Sequence, residues 1–257
     1  MSLIYHYTSL DALYNIIEGI ALPDDSKDDV ILLLRATHYA FLNDSTEGAL
    51  LPQALEDLGV SRSTIALALL NTGKKYALSF SRKGDDLNMW RAYSKDGTGV
   101  SLGFDENLLK REIESQDQNT TCLKKNLEEC EYIDTEGLKN IIAERKEYQQ
   151  YKANKSLKLI TNLFLDMLKY KHSAYAEEQE VRVSFIGALQ EKYNLSSNTF
   201  VPYQEIKIPL PILKTIRFGP KVDFEKMEYA TRNMLKNKVG ENRMKHIELE
   251  KSDIPYV

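Results

Sequence analysis

Charged residues occupy every second position from Glu178 to Arg182, and no other stretch constrains the fold of this chain as strongly. Side chains of a β-strand point to opposite faces in turn, so three charged residues share one face of a predicted strand and two valines share the other. The charged residues are Glu178, Glu180 and Arg182, and the valines are Val181 and Val183. Charges on an interior strand cost free energy unless they pair with one another or line a solvated cleft. We therefore expect this row to carry chemistry.

The composition excludes several classes of protein. The 257 residues include 34 Lys and Arg against 38 Asp and Glu, a net charge of −4, which argues against a basic surface for duplex nucleic acid. The longest aliphatic runs, Val30–Leu34 and Ile65–Leu70, are far shorter than the ~18 residues that a membrane span needs. The residues after Met1 lack the pattern of a charged n-region followed by an apolar h-region, so we expect no secretion signal. The sequence predicts a cytoplasmic protein without a membrane partner.

The two cysteines, Cys122 and Cys130, lie in a polar stretch rich in Lys and Glu. The sequence contains neither a CxxC nor an HExxH pattern, so we expect no structural zinc and no metalloprotease site. Two interpretations of these cysteines remain open: they form a disulfide, or they are a pair of reduced cytosolic thiols.

Strand-like and helix-like segments alternate irregularly along the chain, without a repeat or a low-complexity linker. Leu3–Tyr7 and Gln179–Ile186 are typical of strands, whereas Asp134–His172 is helical in pattern and heavily charged. We predict Ser9, Ser61 and Asp86 as the N-caps of three helices. We predict a single α+β domain over residues 1–257, with a helical insertion or subdomain over residues 105–172.

The first polar candidates end the first predicted strand. His6 and Thr8 share a face if the strand runs through both, and together they suit a ribose diol or an amide. The alternative is structural, with Ser9 as a helix N-cap and His6 satisfying a hydrogen bond in the core.

A second group follows the predicted strand Lys75–Ser81. Ser79 and Ser81 share one face of this strand, and a short helix after it carries three candidate residues, Trp90, Arg91 and Tyr93. The two aromatic rings suit stacking on a flat ligand, and arginine matches a phosphate with its fork of donors. The alternative is that a core tryptophan docks this helix.

Two acids in the loop after the second predicted strand complete the set. Asp44 and Glu47 are further candidate site residues, and the alternative places them at the start of a helix, near its positive end.

These motifs, taken in order, resemble an uncharacterised bacterial family, domain of unknown function 2971, over roughly residues 3–221. The residues that carry the resemblance are Tyr5–Ser9, Leu42–Asp44 with Glu47, Ser79–Ser81, Met89–Trp90 with Tyr93, Gly99–Val100, Phe104–Asp105, Tyr175, Glu178, Glu180, Arg182, Ile216 and Phe218–Pro220. One departure is Tyr175, which stands where the family usually has tryptophan.

The same elements also resemble the ADP-ribosyltransferase superfamily, which has a His-x-Thr or similar first motif, a Ser-x-Ser-like or Tyr-bearing central strand and a later glutamate. This second resemblance implies a mixed, mainly antiparallel sheet with helices and the helical insertion. It further implies NAD as the substrate, an unknown protein or nucleic-acid acceptor, and a role in phage defence or as a toxin.

The resemblance also assigns roles to residues. His6 and Thr8 would hold the adenine-side ribose of NAD, with Ser79 and Ser81 forming the second motif. Trp90 or Tyr93 would pack against nicotinamide, and Arg91 would face the pyrophosphate. Glu180 would bind the nicotinamide ribose and stabilise the oxocarbenium-like transition state, while Glu178 would orient or deprotonate the acceptor.

The sequence is also compatible with two other hypotheses about function. In a metal-dependent nuclease, Asp44, Glu178 and Glu180 would ligate magnesium, and Lys171 would stabilise the phosphorane. In a non-enzymatic module that binds peptide or nucleic acid, the row of Glu178, Glu180 and Arg182 would be a charge network, and the tyrosine-rich surface would recognise the partner.

Overall fold

The structure is a computed structural model. It describes residues 2–22, 30–42, 48–117, 123–187, 190–196 and 198–256. The chain forms two compact units. Unit 1 comprises Met1–Arg35, Ser79–Ile113 and Glu205–Val257, and unit 2 comprises Ala36–Leu78 and Glu114–Gln204.

The strands and helices have the following bounds. The strands are β1 (Leu3–Thr8), β2 (Ile31–His38), β3 (Lys74–Ser81), β4 (Val100–Asp105), β5 (Leu123–Glu129), β6 (Glu131–Ile133), β7 (Tyr170–His172), β8 (Glu180–Gly187), β9 (Lys192–Ser196), β10 (Thr199–Pro209), β11 (Leu213–Phe218) and β12 (Glu248–Lys251). The helices are α1 (Leu10–Glu18), α2 (Leu50–Asp57), α3 (Arg62–Asn71), α4 (Leu87–Tyr93), α5 (Glu106–Asp117), α6 (Thr135–Glu144), α7 (Lys146–Asn154), α8 (Leu157–Leu163), α9 (Phe224–Val239) and α10 (Glu241–Met244). Short 3₁₀ helices cover Tyr39–Phe41, Phe164–Lys169, Ser173–Glu178 and Leu210–Ile212.

In unit 1, strand β1 lies between two antiparallel neighbours. It pairs with β4 along its whole length, from Leu3 opposite Asp105 to Thr8 opposite Val100, and it meets β3 where Tyr5 lies opposite Ser81. Strand β4 pairs in turn with β11, and β11 runs parallel to β12. Because β1 is an interior strand, His6 is held by paired backbone on both sides.

In unit 2, helices α2, α3, α6, α7 and α8 contribute to one apolar core. Its fully buried members include Ala54, Leu55, Ala68, Leu138, Ile160 and Phe164. Two strand pairs belong to the same unit: β5 runs antiparallel to β8, and the short β6 runs parallel to β7. Strands β9 and β10 form an antiparallel hairpin.

The prediction of an α+β fold with a mixed, mainly antiparallel sheet is confirmed. The predicted N-caps are also confirmed, because the side chains of Ser9, Ser61 and Asp86 accept backbone N–H groups from the first turns of α1, α3 and α4. None of the helices in the described part of the chain has the length and apolar character to cross a membrane.

The segment predicted as helical from Asp134 to His172 is more broken than its charge pattern suggests. It contains α6, α7 and α8, then a 3₁₀ helix, and it ends in strand β7. The breaks fall at Arg145, an extended residue, and at Lys155, which has a left-handed backbone with φ of 56°. The predicted insertion over residues 105–172 therefore contains strands β5, β6 and β7 as well as helices. The division of the chain into one domain and an insertion stays a prediction.

Substitutions on the two sides of helix α6 test how it packs in the core of unit 2. Leu138 is fully buried in this core, whereas Ile141 lies on the exposed side of the same helix. Leu138→Ala removes buried methyl groups and leaves a cavity, so we expect the free energy of unfolding to fall by roughly 2–5 kcal/mol. Ile141→Ala serves as the control and should change it by about 0.5 kcal/mol or less. Chemical denaturation measures both, and equal losses would contradict the packing of α6.

Candidate functional site

Four charged side chains of unit 2 form a connected cluster: Lys171, Glu178, Glu180 and Arg182. Glu180 lies at its centre, because Arg182 Nε donates to Oε1 at 2.7 Å and Lys171 Nζ donates to Oε2 at 2.7 Å. Lys171 Nζ also donates to Glu178 Oε2 at 2.6 Å. A single ammonium group therefore joins the two carboxylates. We call these four residues the charge cluster.

Two short strands bring the charge cluster together. Lys171 is the middle residue of β7, which pairs with β6 so that Lys171 lies opposite Tyr132. The Tyr132 hydroxyl accepts the backbone N–H of Glu180 at 2.6 Å and thereby links β6 to the first residue of β8. Burial raises the pKa of Tyr132 to about 12, so its hydroxyl keeps its proton at neutral pH.

Gln179 separates the two carboxylates and turns the chain between them. Its backbone is left-handed, with φ of 46° and ψ of 51°, an uncommon conformation for a residue other than glycine. Glu178 ends the preceding 3₁₀ helix, and Glu180 begins β8. Uncommon backbone conformations of this kind cluster at functional sites, because the surrounding contacts must hold them.

The charge cluster differs from the predicted arrangement in one respect. The sequence pattern predicts Glu178, Glu180 and Arg182 on one face of a strand, but β8 begins at Glu180 and Glu178 precedes it. The turn at Gln179 breaks the alternation, and Lys171 joins Glu178 to Glu180 in its place. Within the predicted row, Arg182 pairs with Glu180, whereas Glu178 pairs with Lys171.

The two carboxylates of the charge cluster differ in their exposure to solvent. The side chain of Glu180 is 4% exposed, whereas that of Glu178 is 16% exposed. Arg182 is buried and also donates from Nη1 to the carbonyl of Leu168 at 3.1 Å. Two anions and two cations balance in charge, and this pairing offsets the cost of removing them from water. Glu178 is thus the carboxylate of the cluster that solvent reaches most easily.

In unit 1, His6 is held in one tautomer. Its Nδ1 lies 2.9 Å from the backbone carbonyl oxygen of Ser79. A carbonyl only accepts, so Nδ1 carries the proton, and in the neutral ring Nε2 is an acceptor. Burial lowers the pKa of His6, which favours this neutral ring. Strand β1 runs through both His6 and Thr8, so the two residues share a face as predicted.

The remaining candidates of unit 1 differ in exposure. Ser79 is partly buried, but Ser81 is fully buried and its hydroxyl accepts the backbone N–H of Lys83 at 3.0 Å. Arg91 is exposed, and its guanidinium lies 4.8 Å from the centre of the Tyr256 ring. Tyr93 is partly exposed and packs against the apolar cluster of Tyr7, Met89 and Trp90.

Trp90 has a packing role. Its ring is fully buried, meets Tyr7 edge-on at 4.8 Å, and donates from Nε1 to Asp85 Oδ1 at 2.6 Å. Asp85 also accepts from the Ser252 hydroxyl at 2.6 Å and from the backbone N–H of Asp253 at 2.7 Å. Of the two aromatic residues predicted to stack on nicotinamide, only Tyr93 has exposed ring surface.

Asp44 and Glu47, which the sequence pattern also singles out, lie outside the described residues. Within the described ranges, no group of three or more His, Cys, Asp or Glu side chains is placed to hold a metal ion.

The buried amine of Lys75 is a feature that the sequence pattern did not predict. Lys75 is buried on β3, and its Nζ donates to the hydroxyl of Thr72 and lies 6.0 Å from the centre of the Tyr39 ring. In the part of the chain that the structure describes, no carboxylate pairs with it. Burial lowers the pKa of Lys75 to about 8. The alternation of buried and exposed residues along β3 could not predict this, because Lys74 and Lys75 are adjacent and the sequence does not show which of the two is buried.

The chain matches the model of one protein family. Residues 89–183 match the model of a family described as "Protein of unknown function (DUF2971)". This match confirms the family resemblance expected from the sequence, and it spans Glu178, Glu180 and Arg182 of the charge cluster. The motifs at Tyr5–Ser9 and Ser79–Ser81 lie outside the matched residues, and the resemblance to ADP-ribosyltransferases stays a prediction. No curated protein and no solved structure matches the chain.

Lys75 yields a prediction about stability and pH. Its pKa falls from the ordinary 10.5 to about 8 in the folded protein. Near neutral pH the folded state must bury the ammonium group with no carboxylate of the described residues paired to it, so Lys75→Met should raise the free energy of unfolding by roughly 1–3 kcal/mol. Between pH 8 and pH 10.5 the unfolded chain binds more protons at this site, so wild-type stability rises with pH. The advantage of the variant should therefore shrink across this window.

Urea denaturation at neutral and alkaline pH measures this effect. Lys74→Met is the matched control, because Lys74 is exposed and pairs with Glu191 at 2.5 Å. We expect no gain in stability from the control. A loss of stability in Lys75→Met at neutral pH, or a gain that does not depend on pH, would contradict the interpretation of Lys75 as a buried charge that no carboxylate of the described residues pairs with.

Proposed function

We propose that this protein cleaves the bond between nicotinamide and ribose in NAD and transfers the ADP-ribose to an acceptor. The observation that carries the proposal is the charge cluster, in which one lysine holds two carboxylates of unequal exposure beside a buried arginine. Glycosidic bonds are broken by carboxylate pairs that differ in environment, because one steadies the cationic transition state and the other moves a proton.

The proposed reaction has a defined balance of bonds and protons. The bond from C1′ of the ribose to the pyridinium nitrogen breaks, and nicotinamide leaves with the electron pair. A bond forms from C1′ to an oxygen or nitrogen of the acceptor, which loses a proton. Glu178, the more exposed carboxylate, takes that proton. Water as the acceptor gives free ADP-ribose, so the same site supports hydrolysis of NAD.

Glu180 has the second role in the proposal. From the buried side of the cluster, it contributes negative charge that stabilises the developing oxocarbenium ion. Lys171 and Arg182 hold its two oxygens in fixed positions, so little reorganisation is needed when positive charge develops. Lys171 is a positioning residue in this scheme, since it sets the distance between the two carboxylates.

Residues of unit 1 are proposed to bind the cofactor. The acceptor Nε2 of neutral His6 suits a ribose hydroxyl, as does the hydroxyl of Thr8. Arg91 suits the pyrophosphate, and Tyr93 suits the nicotinamide ring. Ser79 and Ser81, which lie on β3, complete the set of proposed cofactor-binding residues. The support for these roles is the resemblance of the motifs, together with the tautomer of His6.

Nicotinamide release from NAD tests the catalytic roles. We expect the wild-type protein to consume NAD, and we expect Glu178→Gln and Glu180→Gln to lower the rate by roughly 10²–10³-fold, because each variant loses one electrostatic or proton-transfer group. Both variants keep the size and shape of the side chain and remove its negative charge.

Glu177→Gln is the matched control, because Glu177 is exposed and adjacent to Glu178. It should retain the wild-type rate. Circular dichroism checks that all three variants keep their helices and strands. Failure of the wild-type protein to bind NAD in calorimetry would end the proposal, and so would equal turnover by the wild type and both cluster variants.

A further inference from the structure

The hairpin of β9 and β10 carries large apolar side chains in solvent. Leu195 lies directly opposite Phe200, and Tyr193 lies opposite Pro202. Residues directly opposite each other, and residues two apart along a strand, share one face of a sheet, so these four residues form one apolar face. Tyr193, Leu195 and Phe200 are 59%, 69% and 71% exposed. Exposed apolar side chains next to a sheet edge can contact the side chains of a strand that is added at that edge.

Strand β9 also has an open edge. Among the described residues it pairs with β10 alone and is the last strand in the order of the sheet. Hydrogen-bonded pairs alternate along an antiparallel ladder, so part of the β9 backbone directs its N–H and C=O groups away from β10. Proteins usually protect such edges with a proline, a bulge or several charges. Strand β9 has a single charged residue, Lys192, at its beginning.

We propose that β9 is the interface with a second copy of this chain, which pairs antiparallel with it about a two-fold axis at Asn194. In this register Tyr193 of each copy lies opposite Leu195 of the other. The pairing extends the sheet through backbone hydrogen bonds and joins the two apolar faces into one surface.

Charge favours a second copy over a partner of another kind. A two-fold axis brings each surface against itself, so a suitable edge must not set like charges opposite each other. With the axis at Asn194, Lys192 lies opposite residue 196, a serine, and the axis itself falls on an uncharged amide. Aromatic Tyr193 opposite aliphatic Leu195 is also a favourable cross-strand pair. The edge is thus complementary to itself.

The molar mass in solution tests the proposal. Light scattering after size-exclusion chromatography should give about 59 kDa at micromolar concentration, twice the 29.5 kDa of one chain. Leu195→Lys should give the mass of one chain, because each copy would place a lysine against Tyr193 of the other. Tyr229→Lys is the control, since Tyr229 is a similarly exposed apolar residue on α9, and it should remain a dimer. A wild-type protein with the mass of one chain throughout the micromolar range would overturn the proposal.

A charge swap tests the register. Asn194→Lys and Asn194→Asp each place like charges together on the proposed axis, so each variant alone should dimerise roughly tenfold or more weakly than the wild type. A mixture of the two variants places lysine opposite aspartate and should form a dimer that contains one chain of each. Native mass spectrometry distinguishes the species. Dimers of undiminished strength for each variant alone would overturn the two-fold axis at Asn194, as would a mixture without the mixed dimer.

Discussion

The contact of Glu180 with two cations is the interaction on which the rest of unit 2 depends. Strand β8 is buried along both faces, so a carboxylate on it is stable only if it is paired. Arg182 and Lys171 provide that pairing, from two positions along β8 and from β7. The same contact fixes the position of β7, a strand of three residues that is too short to be stable alone. A single carboxylate thus holds two strands in place.

The charge cluster gives the proposed reaction its physical basis. Lys171 bonds to a buried and to a more exposed carboxylate at once, so it fixes the distance between two groups that differ in environment. The left-handed backbone at Gln179 places Glu178 outside β8, where solvent reaches it. Such an arrangement divides the work between a proton acceptor and a stabiliser of positive charge.

Features that depend on neighbouring residues, such as helix caps, could be predicted from the sequence. Contacts between segments far apart in the chain could not. Ser9, Ser61 and Asp86 cap helices as expected, because capping depends on neighbouring residues only. The contact of Lys171 with Glu180 depends on the parallel pairing of β6 with β7, which no alternation in the sequence reports. Similarly, Trp90 is buried because Asp85 bonds both to it and to Ser252, a residue far along the chain.

The central claim is that Glu180 and Arg182 form a strongly coupled buried pair that organises the charge cluster. A double-mutant cycle with Glu180→Gln, Arg182→Met and the double variant, measured as the free energy of unfolding, tests this claim most directly. Glu180→Gln removes the carboxylate that accepts from Arg182, and Arg182→Met removes one of the two cations that donate to Glu180. The double variant removes both charges of the pair. We predict that the double variant loses less stability than the sum of the two single losses, with a coupling energy of about 2–3 kcal/mol. Additive losses, with a coupling energy near zero, would contradict the account.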